Sequence, residues 1–213
     1  MVKWISSLVG AGILIFILLV SCRNELEITA SRENKTTVWK QINSPNSQIY
    51  SLTISNSNIL FAASETGVFK SADEGLTWTG DNDGLPRLRI NSIVVNSSDQ
   101  LFAGTWGRGV YGKSIGSDNW ASMGLSDKEI SCLVFDSEGV IYAGTHDGNI
   151  YRSYDGGTDW IHLIKLIHGS FPASISALTF DSKGRIFAAT GYGLYLSRDS
   201  GITWQEKFVP MTW

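Results

Sequence analysis

Four short segments of this chain share one pattern of apolar and polar positions. Each begins with isoleucine, has a small residue at its third position, and ends in β-branched or large apolar residues: Ile49–Ile54, Ile90–Val95, Ile130–Phe135 and Ile175–Phe180. Turn-forming Asn, Asp, Ser and Gly residues follow each segment. Short runs of this composition, bounded by polar turns, predict β-strands rather than helices.

Two further apolar runs follow each of these segments. Predicted second strands are Ile59–Ala63, Leu101–Gly104, Val140–Gly144 and Ile186–Ala189. A glycine-bearing hairpin then leads to predicted third strands at Val68–Lys70, Val110–Lys113, Asn149–Arg152 and Leu194–Leu196. A fourth strand is predicted to start at the tryptophan that closes each unit. The chain is therefore read as a repeated four-stranded meander.

An octet, Ser-x-Asp-x-Gly-x-x-Trp, separates the third and fourth strands in three units: Ser71–Trp78, Ser153–Trp160 and Ser197–Trp204. A degenerate copy is read from Ser114 to Trp120, so the closing tryptophans lie 42, 40 and 44 residues apart. In an all-β sequence this period predicts propeller blades. The expected fold is an all-β propeller over residues 38–213, with four-stranded blades at about 49–84, 90–125, 130–166 and 175–208.

An additional outer strand, Trp39–Ile42, precedes the first blade and has no partner strands of its own. Three arrangements follow from this excess strand: a closed ring of four blades with a spare strand, an open arc, or an arc completed by another copy. An incomplete ring is favoured. Uncovered blade faces at its two ends would then permit self-association.

The octet residues are expected to be structural. The aspartate would accept backbone N–H bonds, the glycine would supply a left-handed position, and the tryptophan would pack between sheets. The residues concerned are Ser71, Asp73, Gly75, Trp78, Trp120, Ser153, Asp155, Gly157, Trp160, Ser197, Asp199, Gly201 and Trp204. A role as catalytic acids or metal ligands is disfavoured, because recurrence on separate blades spreads the carboxylates around a rim, whereas glycosidase carboxyl pairs lie about 5–10 Å apart.

The octet resembles the Asp-box, or BNR repeat, and the whole unit is similar to blades of sialidase, sortilin-like and photosystem II assembly factor-like propellers. This resemblance covers residues 39 to about 208 and implies that the box is a structural turn, away from any catalytic centre. Sialidases need three arginines that clamp a carboxylate, a tyrosine nucleophile with a glutamate partner, and an acid/base residue. No arginine of this chain lies in a recognisable sialidase motif. The alternative function is that of a glycan-active hydrolase of the sialidase or xyloglucanase-like kind, or of a degenerate relative of one.

A binding surface is expected on the face that carries the hairpins between second and third strands and the connections between blades. Side chains vary there, and the candidate residues are Glu65, Arg87, Arg89, Trp106, Arg108, His146, Asp147 and Tyr192. An exposed aromatic residue beside arginine suits recognition of a carbohydrate or a peptide. The segment His162–Ser174 is read as a long connection on the same face. Alternatively, Trp106 only caps the hydrophobic core locally.

Composition and charge narrow the class of partner. The formal net charge is −3, and loss of Lys3 with a leader segment would make it −4, which argues against a nucleic-acid partner. Motifs for zinc, for a nucleotide phosphate and for a serine nucleophile are absent from the sequence, so neither a metal nor a cofactor is predicted. Cys132 occupies the small third position of its strand and is interpreted as a buried filler.

The N-terminus has the pattern of a secretory signal. An apolar run from Leu8 to Val20 is too short to span a bilayer comfortably. The segment at its end, Leu19-Val20-Ser21-Cys22, resembles a bacterial lipobox. Residues 1–21 are therefore predicted to be a lipoprotein signal peptide, Cys22 the lipidated residue, and 22–37 a tether. The protein would face the periplasm or exterior on a membrane anchor, with Arg23 favouring the outer membrane. Alternatively, Cys22 lies by chance near an ordinary cleavage site.

Overall fold

The structure is a computed structural model that describes residues 4–8, 14–18, 45 and 47–207. Near the N-terminus, β1 (Trp4–Leu8) pairs antiparallel with β2 (Leu14–Leu18). Cys22, the tether at 22–37 and the predicted strand Trp39–Ile42 lie outside the described residues. Within those residues, no helix has the length and apolar character needed to cross a bilayer.

Four antiparallel sheets, each a meander of four strands in chain order, make up residues 49–207. The first blade contains β3 (Ile49–Ile54), β4 (Leu60–Ser64), β5 (Gly67–Ser71) and β6 (Thr79–Gly80). The second contains β7 (Ile90–Val95), β8 (Gln100–Thr105), β9 (Val110–Ser114) and β10 (Ala121–Ser122). The third contains β11 (Ile130–Phe135), β12 (Ile141–Thr145), β13 (Asn149–Ser153) and β14 (Ile161–Lys165). After β15 (Ile167–His168) and β16 (Phe171–Pro172), the fourth contains β17 (Ile175–Phe180), β18 (Ile186–Thr190), β19 (Gly193–Ser197) and β20 (Gln205–Lys207).

This arrangement confirms the predicted all-β propeller of four four-stranded blades. Each fourth strand begins one residue after its tryptophan. The predicted connection His162–Ser174 was wrong over its first part, because Ile161–Lys165 continues the pairing with β13 through a bulge. The next residues form the short hairpin of β15 and β16, which turns at Gly169 with a φ of 60°.

The hydrophobic core lies between successive blades. One apolar cluster fills each junction; the cluster between the first two blades includes Phe61 and Val68 from the first, and Ile93, Leu101 and Trp120 from the second. In the second, third and fourth blades, the fourth residue of the first strand packs against the preceding blade. Burial between sheets thus supplies the main stabilisation.

In the first three blades, the small third residue of the first strand accepts a hydrogen bond as well as fitting a crowded site. A bulge precedes this residue in all four blades. The Ile93 amide donates to Ser51 Oγ at 3.2 Å and the Leu133 amide to Ser92 Oγ at 3.0 Å, and each bond joins one blade to the next. Cys132 holds the same position in the third blade and makes the corresponding hydrogen bond with the Leu178 backbone. Burial raises the pKa of its thiol to about 11.

Over residues 47–207 the ring of blades does not close. Ile93, Leu133 and Leu178, at the fourth strand position, are 1%, 5% and 7% exposed because a preceding blade covers them. Leu52 holds the same position in the first blade and is 63% exposed. At the other end, Ala177 is exposed where Ser92 is buried. Both ends of the arc therefore present surfaces that interior blades bury.

Candidate functional site

The polar residues of the three intact octets bond to one another. In each copy the serine hydroxyl donates to the aspartate Oδ1: 2.7 Å for Ser71–Asp73, 2.7 Å for Ser153–Asp155 and 2.9 Å for Ser197–Asp199. The same hydroxyl accepts the amide of the octet glycine at 2.9, 2.8 and 2.8 Å for Gly75, Gly157 and Gly201. These glycines have φ values of 84°, 92° and 86°, in the left-handed region. The octet is thus a self-contained turn.

Each octet carboxylate also accepts the backbone amide four residues later, from Thr77, Asp159 and Thr203. A hydrogen bond from the Thr77 side chain is the largest cause that lowers the pKa of Asp73 to about 2, and Thr203 does the same for Asp199. The pKa of Asp155 is lowered mainly by Ser153. Bonds inside the turn therefore hold these carboxylates ionised and occupy their oxygens.

The octet tryptophans join neighbouring blades. Trp160 Nε1 donates to the Met123 carbonyl of the preceding blade at 2.7 Å, and Trp120 Nε1 donates to the Asp81 carbonyl at 2.8 Å. Trp204 donates within its own turn, to the Gly201 carbonyl at 3.0 Å. Trp78 is half-buried.

Strand pairing shifts the degenerate octet of the second blade by one residue. Leu101 pairs with Lys113, as Leu60 pairs with Ser71 and Ile141 with Ser153. The copy therefore runs from Lys113, not Ser114, to Trp120, and it places Ile115 at the aspartate position and Ser117 at the glycine position. The sequence pattern missed this register because Ser114 was aligned with the first serine of the intact octets.

The opposite face is built from hairpins with a common anchor. The last residue of each second strand is Ser64, Thr105, Thr145 or Thr190, and its hydroxyl donates to the carbonyl that opens or precedes the third strand, at 2.8–3.1 Å. This bond fixes the hairpin so that the intervening side chains point away from the sheet. The recurrent Ser/Thr was the sequence signal for this anchor.

Side chains from three adjacent blades form a continuous row on this face, here called the top ladder: Glu65, Tyr50, Arg89, Trp106 and His146. Tyr50 Oη donates to Glu65 Oε2 at 2.6 Å. The Arg89 guanidinium lies 3.8 Å from the centre of the Tyr50 ring and 4.8 Å from that of Trp106. The Trp106 and His146 rings meet edge to face with centroids 5.3 Å apart. The ladder thus joins four of the predicted binding residues with Tyr50.

Electrostatics of the ladder centre on Arg89. Its Nε is buried and has no hydrogen-bond partner among the residues that the structure describes. Two cation–π contacts stabilise its charge instead. The hydrogen bond to Glu65 is the largest cause that raises the pKa of Tyr50. Tyr50 was not among the predicted binding residues because it lies inside a strand. The sequence signal for it is that the other blades have a small polar residue at this position: Asn91, Ser131 and Ser176.

The remaining predicted residues lie outside the ladder. The Thr145 hydroxyl lies 2.6 Å from Asp147 Oδ1 and shares its one hydrogen between this oxygen and the Asn149 carbonyl. Asp147 lines a depression of about 260 Å³ together with His146, Asp127, Lys128 and Glu129. Arg87 and Arg108 are exposed. Tyr192 stacks on His168 with centroids 4.8 Å apart, and His168 Nδ1 lies 3.2 Å from Glu206 Oε1, which forms a separate cluster on the fourth blade.

Solved β-propellers share this fold at low sequence identity. An ancestral GH74 enzyme aligns with a TM-score of 0.68 and 22% identity over 81% of this chain and 25% of that one. The extracellular domain of BT4673 from B. thetaiotaomicron gives 0.61 and 20% over 74% and 22%. YCF48 from Cyanidioschyzon merolae gives 0.65 and 19% over 82% and 60%, and YCF48 has also been solved bound to a D1 peptide. The chain thus spans about a quarter of the first two proteins.

Sequence comparisons add little to the fold. The family model described as Strictosidine synthase-like, N-terminal, matches residues 133–153. Curated proteins gave no significant match. The propellers similar to this chain include a GH74 enzyme, an extracellular domain and a protein solved with a bound peptide, so the fold by itself assigns no role to this chain.

Proposed function

We propose that this protein is a non-catalytic, lipid-anchored propeller whose top ladder binds an extended peptide outside the cytoplasm. The observation that carries the proposal is the unbroken contact from Glu65 to His146 across three blades. A rigid scaffold that aligns aromatic and charged side chains in one row suits recognition of a chain that runs across it.

The ladder favours a peptide over a sugar. Trp106 is 37% exposed, and contacts with Arg89 and His146 already occupy parts of its ring, so a sugar has little open aromatic face on which to stack. Glu65 and Arg89 place charges of both signs in the ladder, and this combination suits a peptide whose side chains carry either charge. The peptide-bound state of YCF48 supports the proposal by likeness of fold.

A random peptide library displayed on phage would test the proposal with the chain as bait. Peptides selected by the wild type should bind about tenfold or more weakly to Arg89→Ala and Trp106→Ala, since buried arginine and tryptophan dominate such interfaces. Arg198→Ala changes an exposed arginine in the octet of the fourth blade, on the opposite face, and should bind normally. Failure to select peptides, or equal affinity in all variants, would contradict the proposal.

Anchoring rests on the apolar run that ends at Cys22. Acyl chains on this residue would hold the propeller at the membrane, and two chains anchor stably where one is marginal. A Cys22→Ala variant should leave the membrane fraction of a bacterial host, and its retention there would argue against lipidation. Arg23 favours the outer membrane; sucrose-gradient separation of the two membranes tests that preference.

Self-association through the ends of the arc would complete the ring. Leu52 and Ile54 are 63% and 53% exposed on the first blade, at positions that interior blades cover. The fourth blade of a second copy offers the matching surface with Ala177 exposed. Joining the two would extend the junction that already repeats along the chain.

One observation favours the alternative of a glycan-active hydrolase. The Tyr50–Glu65 pair has the residue types of a sialidase nucleophile and its partner, and Arg87, Arg89 and Arg108 belong to the same face. The raised pKa of Tyr50 weakens this alternative, because a phenolate is the better nucleophile. Turnover of an aryl sialoside that is lost in Tyr50→Phe would establish it and overturn the non-catalytic assignment.

A further inference from the structure

The junction between the first and second blades differs from the other two at matched positions. The third residue after the octet tryptophan is Met123 in the second blade and Leu163 in the third, and each packs against the octet glycine of the next blade. A methyl group added to Gly157 or Gly201 would lie 3.3 or 2.7 Å from these side chains. They act as apolar plugs. In the first blade, Asp81 stands at this position.

The substitution at Asp81 is matched by one on the facing blade. Lys113 takes the position of the octet serine, and its Nζ lies 2.6 Å from Asp81 Oδ1, with the two side chains 3% and 9% exposed. Lys113 also donates to the Ser117 carbonyl at 3.1 Å, while Lys70 lies 3.7 Å from the same Asp81 oxygen. The buried ion pair between Asp81 and Lys113 thus stands where the other two junctions have an apolar side chain and the octet serine.

Beside this pair is a cavity of about 370 Å³. Ile59, Phe61, Leu101 and Ile115 give it apolar walls, and Lys70, Asp81 and Lys113 give it a polar end. The octet residues Ser71, Asp73 and Thr77 also line it, but the Asp73 carboxylate oxygens already accept hydrogen bonds within the turn. Its volume is in the range of small-molecule sites, and a few polar groups among apolar walls are typical of them. Ile115 reaches the cavity because it replaces the octet aspartate, whose carboxylate would bond within the turn.

The hydrogen bonding of Asp81 Oδ2 bears on which kind of ligand fits the cavity. This oxygen is buried and has no hydrogen-bond partner among the residues that the structure describes. A buried acceptor left unpaired is costly, so a ligand that donates a hydrogen bond here is favoured.

The charges around the cavity restrict the charge that a ligand can carry. Lys113 already neutralises Asp81 and Lys70 adds a positive charge nearby, which disfavours a cationic donor. An anion would meet the unpaired carboxylate oxygen. We infer that this junction binds a small neutral molecule with an apolar ring system and one O–H or N–H donor aimed at Asp81. The site lies on the octet side of the blades, away from the top ladder.

Two ring compounds of similar shape test this inference with the full chain. 2-Naphthol carries a hydroxyl where 2-methylnaphthalene carries a methyl group. We expect 2-naphthol to bind about tenfold or more tightly, because a hydrogen bond to a charged acceptor is stronger than a neutral one. The Trp120 Nε1–H signal in a ¹H–¹⁵N NMR titration reports the site, since this group bonds the Asp81 carbonyl.

A double variant supplies the structural control. Asp81→Met with Lys113→Ser gives this junction the residue types that the next junction has at the matched positions, Met123 and Ser153, so the fold should be retained while the cavity fills. Binding of 2-naphthol should then be lost. Equal affinity for both compounds, no binding of either, no shift of the Trp120 signal, or unchanged binding by the folded double variant would each overturn the inference.

Discussion

Each aspartate of the intact octets accepts hydrogen bonds from its own turn, and its contribution to folding stability therefore depends on pH. The pKa of Asp73 and of Asp199 falls from 3.8 to about 2 in the folded chain. A folded-state pKa below the unfolded value means that the carboxylate stabilises the fold above about pH 4 and loses this effect as the pH falls toward 2. Acid should therefore loosen these turns.

Asp199→Asn is expected to lower stability near neutral pH and to flatten the loss of stability between about pH 4 and 2. Urea unfolding followed by tryptophan fluorescence across this range measures both effects. Asp118→Asn, an exposed change in the degenerate octet, serves as the control and should follow the wild type. A slope unchanged by Asp199→Asn would show that the octet carboxylate contributes nothing to folding.

The thiol of Cys132 should be nearly inert in the folded chain. Burial raises its pKa to about 11, so little thiolate exists near neutral pH, and thiolate is the reactive form. In a Cys22→Ser background, Ellman's reagent should label Cys132 slowly until urea unfolds the protein. Ala177→Cys places a thiol at the same strand position of the exposed last blade and should react at once. Rapid labelling of native Cys132 would refute its assignment to the core.

At the level of strands and blades, the junction is the unit that folds and stabilises the chain. Each junction combines an apolar cluster with a hydrogen bond that a backbone amide of one first strand donates to the small third residue of the preceding first strand. A blade alone exposes one face of this core, so neighbouring blades stabilise each other as repeats in other arrays do.

Ser92→Ala is expected to destabilise the protein by about 1–3 kcal/mol, because the buried Leu133 amide loses its acceptor. Thermal or urea unfolding would measure the change. The reciprocal variant Ala177→Ser adds the same hydroxyl to the last blade, where no following blade is described, and should leave stability unchanged. Equal effects of the two variants would mean that the hydroxyl does not act across a junction.

At the scale of the whole molecule, the open ends decide whether the chain acts alone. If another blade covered Leu52, its exposed fraction would be as low as those of Ile93, Leu133 and Leu178, but Leu52 is 63% exposed. Apolar side chains uncovered at a repeat end favour association with another repeat.

Leu52→Glu should therefore shift the protein toward the monomer. Sedimentation velocity of the Cys22→Ala chain over a concentration series should show larger species for the parent and a single small one for Leu52→Glu. Ile202→Glu alters a side chain that is 70% exposed in an octet turn, not on a blade face, and should behave as the parent. A parent that stays monomeric at every concentration would remove self-association from the proposed function.

Much of the fold was predictable because its determinants are local. The alternation of apolar runs and turn residues identified the strands. The octets identified the blades, because the hydrogen bonds that form each octet turn lie within eight residues of sequence. The top ladder was predicted only in part: Glu65, Arg89, Trp106 and His146 were named from their loops, while Tyr50 was hidden in a strand. Contact between loops about 40 residues apart depends on how blades stack, which no local pattern encodes.

Sequence alone determined the repeating unit, the chemistry of its turns and the residues that vary on one face. Tertiary structure decided which of those residues meet, that small third residues bond across junctions, and that Lys113 rather than Ser114 opens the degenerate octet. It also placed Lys113 against Asp81 beside a cavity. These features depend on pairing between strands of different blades, and hydrogen bonds, ion pairs and cavities at such junctions exist only once both sides are in place.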